Sequence, residues 1–220
     1  MKLVLASGSQ RRRELLTMCG YDYEIIVSNA DETIDENDPE SFVRALSFRK
    51  AKEVFDRLFA AGRREFAVIG SDTVVAFQKE GEAKPAIIGK PKDAEDAVRI
   101  LSMLSGKTHR VFTGVSVIAD IPDENAAAQC SIREKAEIQT ECSITEVTFE
   151  TLSPDEIADY VNSGDPLDKA GSYGIQGPFG MFVREIRGNY FTVIGMPIPV
   201  LYKMLKKIGI LPHGFYERIE

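Results

Sequence analysis

Short apolar runs alternate along the chain with stretches whose apolar residues recur every third or fourth position, the two patterns that mark strands and helices. Leu3-Val4-Leu5 predicts a first strand, RRRELLTMCG a short helix closed by Gly20, and YEIIVS a second strand. NADETIDENDPE is acidic and rich in turn formers, which predicts a loop. Asp38 and Pro39 then supply an N-cap and a proline at the first helical position of a long helix, PESFVRALSFRKAKEVFDRLFAAG, ending near Gly62. EFAVIGSDTVVAF predicts a strongly apolar strand, with EAKPAIIG its partner across the KEGE turn. DAEDAVRILSMLSG reads as a helix capped by Asp93, with Gly106 just past its end. From Thr108 to Phe149 the pattern is mostly strand: THRVFTGVSVIAD, a loop at IPDENAAA, then a long alternating run through IQTECSITEVTFE. SPDEIADYVNSG sets Ser153, Pro154 and Glu156 in capping-box order and closes at Gly164. A glycine-rich loop, a hairpin around RGN and a final helix, PIPVLYKMLKKIG, complete a mixed-sheet α/β protein without repeats.

Composition excludes several classes of function. With 220 residues, 44% of them hydrophobic and 28% charged, the chain has ample material for a core in one or two tightly joined domains. A net charge of −7 argues against general binding to nucleic acid or to an anionic membrane surface. Cys19, Cys130 and Cys142 are odd in number and form no C-x-x-C pair, so neither a disulfide framework nor a zinc knuckle is expected, and a reducing cytoplasm fits best. No segment reads as a signal peptide or as an apolar run able to span a bilayer. With only His109 and His213, any metal would be held by carboxylates, which points to Mg²⁺ or Mn²⁺.

Against this acidic background, SGSQRRRELL stands out. A helix N-terminus already carries partial positive charge and unpaired N–H groups, so its first turn normally prefers acidic residues. Ser7, Gly8 and Ser9 followed by Arg11, Arg12 and Arg13 make sense if an anion is expected there, phosphate being the obvious candidate; a solvated surface turn is the bland alternative. Asp72 lies inside an apolar strand, where an unpaired carboxylate would cost several kcal/mol, so a metal, a cation or a proton must balance it unless it ends the strand and caps a turn. Lys50 shares a helical stripe with Phe42, Leu46, Val54 and Leu58, which aims its ammonium toward the core side unless the stem snorkels outward. Lys90, before a proline at a strand end, is a weak signal alone. Together, Arg11, Arg12, Lys50 and Lys90 could surround a polyphosphate, while Glu32 and Asp72 could hold a divalent ion and activate water.

SGSQRRRELL, Asp31-Glu32, RKAKEV, SDTVV, IGKP with LSGKTHRVFTG, and DKAGSYGIQG follow one another in the order found in the Maf family of nucleotide pyrophosphatases, and the resemblance runs from Leu3 to about Leu205. It implies a single domain over residues 1–220, with an elongated mixed sheet, two lobes and a nucleotide cleft between them, in an inosine-triphosphatase-like fold. It further implies hydrolysis of nucleoside triphosphates to monophosphate and pyrophosphate with Mg²⁺ or a similar cation, and a homodimer. Carried over by position, Asp72 matches the proton acceptor, Ser7, Ser9, Arg11 and Arg12 the phosphate-gripping loop, and Glu32, Lys50 and Lys90 the charged residues around the phosphates. Where the family motif has proline, this chain has Gln10. The loop DKAGSYGIQG resembles the dTTP/UTP branch, in which Arg11, Thr73 and Gln176 match positions associated with base choice. A side-chain amide at Gln176 offers the donor and acceptor that the O4 and N3–H edge of uracil or thymine requires, and the turns at Gly174 and Gly177 are expected to fix its orientation.

Other classes compete less well. A dinucleotide-binding protein would carry a three-glycine fingerprint that SGSQRR lacks. A 7-methyl-GTP pyrophosphatase of the same family would carry a different loop in place of DKAGSYGIQG, and a non-catalytic nucleotide sensor would keep the basic residues without needing Asp72.

Overall fold

The computed structural model describes residues 1–121 and 136–214. Most of the predicted loop at IPDENAAA, together with Cys130, lies outside the described residues. The elements follow in the order β1 (Lys2–Leu5), α1 (Gln10–Met18), β2 (Glu24–Ile25), α2 (Pro39–Ala60), β3 (Phe66–Phe77), β4 (Ala86–Ile88), α3 (Ala94–Leu104), β5 (Thr108–Asp120), β6 (Ala136–Phe149), α4 (Pro154–Asn162), β7 (Val183–Arg187), α5 (Tyr190–Ile194) and α6 (Ile198–Lys207). Among the described residues, short 3₁₀ turns cover Asp165–Asp168, Ala170–Ser172 and Pro178–Phe182. None of the described helices is long and apolar enough to cross a membrane.

The predicted helix caps form as the sequence sets them out. Asp38 accepts from the Ser41 N–H, Asp93 from the Asp96 N–H, and Ser153 and Glu156 complete a capping box. Two strand expectations are corrected. YEIIVS contributes only Glu24 and Ile25 to the sheet. The hairpin expected around RGN does not form: β7 ends at Arg187, and the Asn189 side chain accepts from the Phe191 N–H and opens α5 instead. Asparagine can serve either as a turn residue or as an N-cap, and here the cap prevails.

Seven strands make one mixed sheet in the order β2-β1-β3-β5-β6-β7, with β4 also paired to β3. One edge of β3 is continuous, pairing antiparallel with β5 from Ala67 to Ala76. The other edge is shared: β1 runs parallel to it as far as Ile69, and β4 runs antiparallel to it from Val75. The residues between, Gly70 to Val74, face a gap. Alternation then sends Asp72 to one face of the sheet and Thr73 to the other, both at this gap.

The same alternation builds two lobes. Leu3, Leu5, Ile69, Val115 and Val117 pack beneath α1, α5 and α6, while Val75, Val111, Val147 and Phe149 pack beneath α3 and α4. The opposite face of the sheet is covered by α2 along both lobes, through Val54 and Phe55 against Val4, Phe66 and Val68 at one end and Val43 against Val74, Ala76 and Phe112 at the other. Two strand glycines let this helix approach. A Cβ at Gly70 would stand 2.1 Å from the Ser47 carbonyl oxygen, and one at Gly114 2.2 Å from that of Val43.

Candidate active site

A cleft of about 760 Å³ lies where the two lobes part, and Ser7, Ser9, Arg11, Arg12, Glu32, Lys50, Asp72, Thr73, Lys90 and Gln176 all line it. Residues singled out across 170 positions of sequence are thus gathered around one space.

One side of the cleft is the start of α1. Ser9 occupies the N-cap position without using its side chain as a cap, and no acidic residue stands in the first turn. The N–H groups of that turn therefore face the cleft without an internal anion. Ser7 Oγ accepts from the Ser9 N–H at 3.2 Å and from Arg12 Nη1 at 3.1 Å, which folds the SGS turn back onto the helix. Arg12 is fixed at three points, donating also to the Gly195 carbonyl at 2.8 Å and to Thr73 Oγ1 at 3.3 Å. Burial lowers its pKa, and the charge of Asp72 opposes that shift. Thr73 Oγ1 also lies 3.0 Å from Thr113 Oγ1, so its hydroxyl helps hold Arg12. Arg11 crosses the cleft to Asp168 Oδ2 at 3.2 Å.

On the other face of β3, Lys50 Nζ sits 2.7 Å from Asp72 Oδ1 and 3.0 Å from Glu32 Oε1. This settles both alternatives left open by the sequence: Asp72 is a mid-strand carboxylate balanced by a cation, and the Lys50 stem turns inward with only 12% of its side chain exposed. Glu32 reaches this pair because Arg49 donates to the carbonyls of Asp31 and Thr33, both at 2.8 Å, and so clamps the acidic loop onto α2. Lys90 stands exposed at the rim, on a loop tied to the far wall by the Gly171 N–H to Gly89 carbonyl bond of 3.0 Å.

That far wall is the DKAGSYGIQG segment. Lys169 bonds Asp165 Oδ1 at 2.9 Å and Asp168 Oδ1 at 2.7 Å. Burial raises the pKa of Asp168, but the contacts from Lys169 and Arg11 outweigh it and hold the carboxyl below its ordinary value. Behind the wall, Tyr173 Oη meets His109 Nε2 at 3.0 Å, and burial pushes His109 down to about 3, so the ring stays neutral. Gln176 is exposed at the cleft, and its amide has no hydrogen bond among the described residues. The glycine turns therefore fix the backbone of Gln176 and leave the amide free, contrary to the sequence expectation.

Sequence reasoning missed Arg49, Asp168 and Lys169, although the last two open a quoted motif as adjacent opposite charges. It also missed Gly70 and Gly114, whose signal is an isolated glycine inside an apolar strand.

Two of the carboxylates that line the cleft, Glu32 and Asp72, meet at Lys50 Nζ. No group of three or more acidic, His or Cys side chains that could hold a metal ion occurs among the described residues. Two carboxylates suit Mg²⁺ or Mn²⁺, which take one or two acidic ligands and complete their shell with water and substrate phosphates.

The Maf-like protein family matches residues 2–208. A protein of Agathobacter rectalis named dTTP/UTP pyrophosphatase is 40% identical over 217 residues, covering 95% of this chain and 98% of its own. One of the same name from Bacillus thuringiensis is 42% identical over 210 residues, covering 95% and 96%, and another from Lachnoclostridium phytofermentans is 40% identical over 209 residues with the same coverage. The solved structure of the Staphylococcus aureus Ham1 protein aligns over 94% of this chain and 99% of its own at 15% identity with a TM-score of 0.47, a likeness too loose to carry a conclusion. With a family match across almost the whole sequence and relatives of such identity covering nearly all of both chains, the protein belongs to the Maf family.

Proposed function

We propose that the protein hydrolyses dTTP and UTP to the monophosphate and pyrophosphate, acting in the cytoplasm. The observation that carries this reading is a single cleft in which a helix N-terminus and two arginines face a carboxylate pair bridged by Lys50. The names of the relatives support the choice of base.

In this reading the triphosphate lies along the start of α1. The Ser7–Ser9 turn and the free N–H groups donate to phosphate oxygens, and Arg11 and Arg12 neutralise their charge. Lys50 and Lys90 meet the chain of phosphates from α2 and from the loop after β4. Asp72 accepts a proton from water as its oxygen bonds to phosphorus and the anhydride link between the α and β phosphates breaks, so that pyrophosphate departs. Lys50 orients Asp72 for this task and spreads charge between it and Glu32. Glu32 and Asp72 would hold a Mg²⁺ or Mn²⁺ ion, whose chemistry there is to shield phosphate charge and make bound water more acidic.

Gln176 faces the cleft from the opposite wall, where its amide can pair with the O4 and N3–H edge of a pyrimidine. A panel of UTP, dTTP, CTP and 7-methyl-GTP, assayed for pyrophosphate release, tests the reading. UTP and dTTP should be cleaved far faster than CTP, and a preference for 7-methyl-GTP would contradict the assignment.

A further inference from the structure

Gln176 sits third in a four-residue turn closed by the Gly177 N–H to the Gly174 carbonyl at 3.2 Å. With no hydrogen bond on its own amide, the direction in which Gln176 projects depends on where that turn is held. The holding contact comes from α4. Tyr160 Oη accepts from the buried Gly174 N–H at 3.1 Å and donates to Asp165 Oδ2 at 2.5 Å. Asp165 is in turn fixed by Lys169 Nζ through both its carboxylate and, at 2.5 Å, its carbonyl. The Lys169 stem packs on the same glycine, because a Cβ at Gly174 would lie 2.5 Å from Lys169 Cε.

We propose that Tyr160 is a positioning residue for base selection: its hydroxyl anchors the Gly174–Gly177 turn and thereby sets the reach and angle of Gln176. The inference rests on the pyrimidine reading given above. The ring of Tyr160 packs against Phe179 with centroids 4.8 Å apart, a contact that phenylalanine would keep. Tyr160→Phe therefore removes one oxygen and little else, leaving the Gly174 N–H buried without its partner. The phosphate side of the cleft, built on α1, β3 and α2, contains none of these groups.

The test compares the parent protein with Tyr160→Phe on UTP, dTTP and CTP, and adds inorganic tripolyphosphate as a competitive inhibitor that lacks a base. KM for UTP and dTTP should rise ~10-fold, in line with a lost buried hydrogen bond, with kcat little changed and the preference for UTP over CTP reduced. Inhibition by tripolyphosphate should stay at the parent value. If Tyr160→Phe fails to fold, Asp165→Leu, which removes the acceptor of the tyrosine hydroxyl, should shift selectivity in the same way, and Asp165→Asn, which still accepts, should shift it less. An unchanged UTP-to-CTP ratio in a folded Tyr160→Phe protein, or a parallel loss for both nucleotides and tripolyphosphate, would overturn the inference alone. A parent protein that cleaves none of the pyrimidine triphosphates would overturn the underlying reading with it.

Discussion

Lys50 Nζ lies 2.7 Å from Asp72 Oδ1, with only 12% and 13% of the two side chains open to solvent. One residue is on a helix and the other on a strand, and the contact exists because Gly70 and Gly114 let the helix lie almost against the backbone of the sheet. The nearest analogue of a metal or proton for the strand carboxylate is thus supplied by the protein itself. When a polyphosphate enters, the same ammonium is already at the surface of the cleft.

If Lys50 and Lys90 balance phosphate charge, removing either should weaken triphosphate binding much more than monophosphate binding. Calorimetry on Lys50→Ala and Lys90→Ala with a non-hydrolysable triphosphate and with the monophosphate checks this. Lys90 has the cleaner outcome, since it stands exposed at the rim, whereas Lys50→Ala also leaves Asp72 with less compensation and should lower the unfolding midpoint. Equal losses for both ligands would remove the phosphate role.

Gly114→Ala should act on the site from a distance. Its Cβ would meet the Val43 carbonyl at 2.2 Å, so α2 must shift or the strand must bend, at a cost of ~1–3 kcal/mol. Lys50 rides on that helix, so turnover should fall along with the melting temperature. A variant of normal stability and normal turnover would show that the close approach is dispensable.

How much of this was legible in the sequence follows from the range of the forces involved. Local signals carried through: the caps at Asp38, Asp93 and Ser153, the long apolar strand around Asp72, and the acid-free start of α1 are each set by a few neighbouring residues. The expected hairpin at RGN failed because α5 is only five residues long, too short to show helical periodicity, and rests on one asparagine cap. The clamp from Arg49 onto the Glu32 loop and the tie from Arg11 to Asp168 depend on docking across the fold, which no local pattern records. The orientation of Gln176 was misjudged for the same reason: the turn is held by Tyr160 from α4, and the amide itself is left open.

His109 makes stability depend on pH. Its folded-state pKa is about 3 against an ordinary 6.5, because burial disfavours the charged ring. Between these values the unfolded chain binds the extra proton, so stability should rise with pH through this window and be lost as pH falls below about 6.5, by at most ~1.4 kcal/mol per pH unit from this group. His109→Phe should be less stable than the parent near pH 7, through loss of the Tyr173 contact, and the gap should narrow toward pH 4. Denaturant midpoints at several pH values decide it, and parallel curves for the two proteins would contradict the account.

The central claim is that Asp72 takes a proton from water, and the most direct measurement is the rate of pyrophosphate release from UTP by Asp72→Asn beside its affinity for a non-hydrolysable triphosphate. Asparagine is nearly isosteric and Lys50 keeps Glu32 at 3.0 Å, so the fold and nucleotide binding should persist. Turnover should fall by ~10²- to 10⁴-fold, the usual contribution of a general base. Near-normal pyrophosphate release from a variant that still binds the triphosphate would contradict the account.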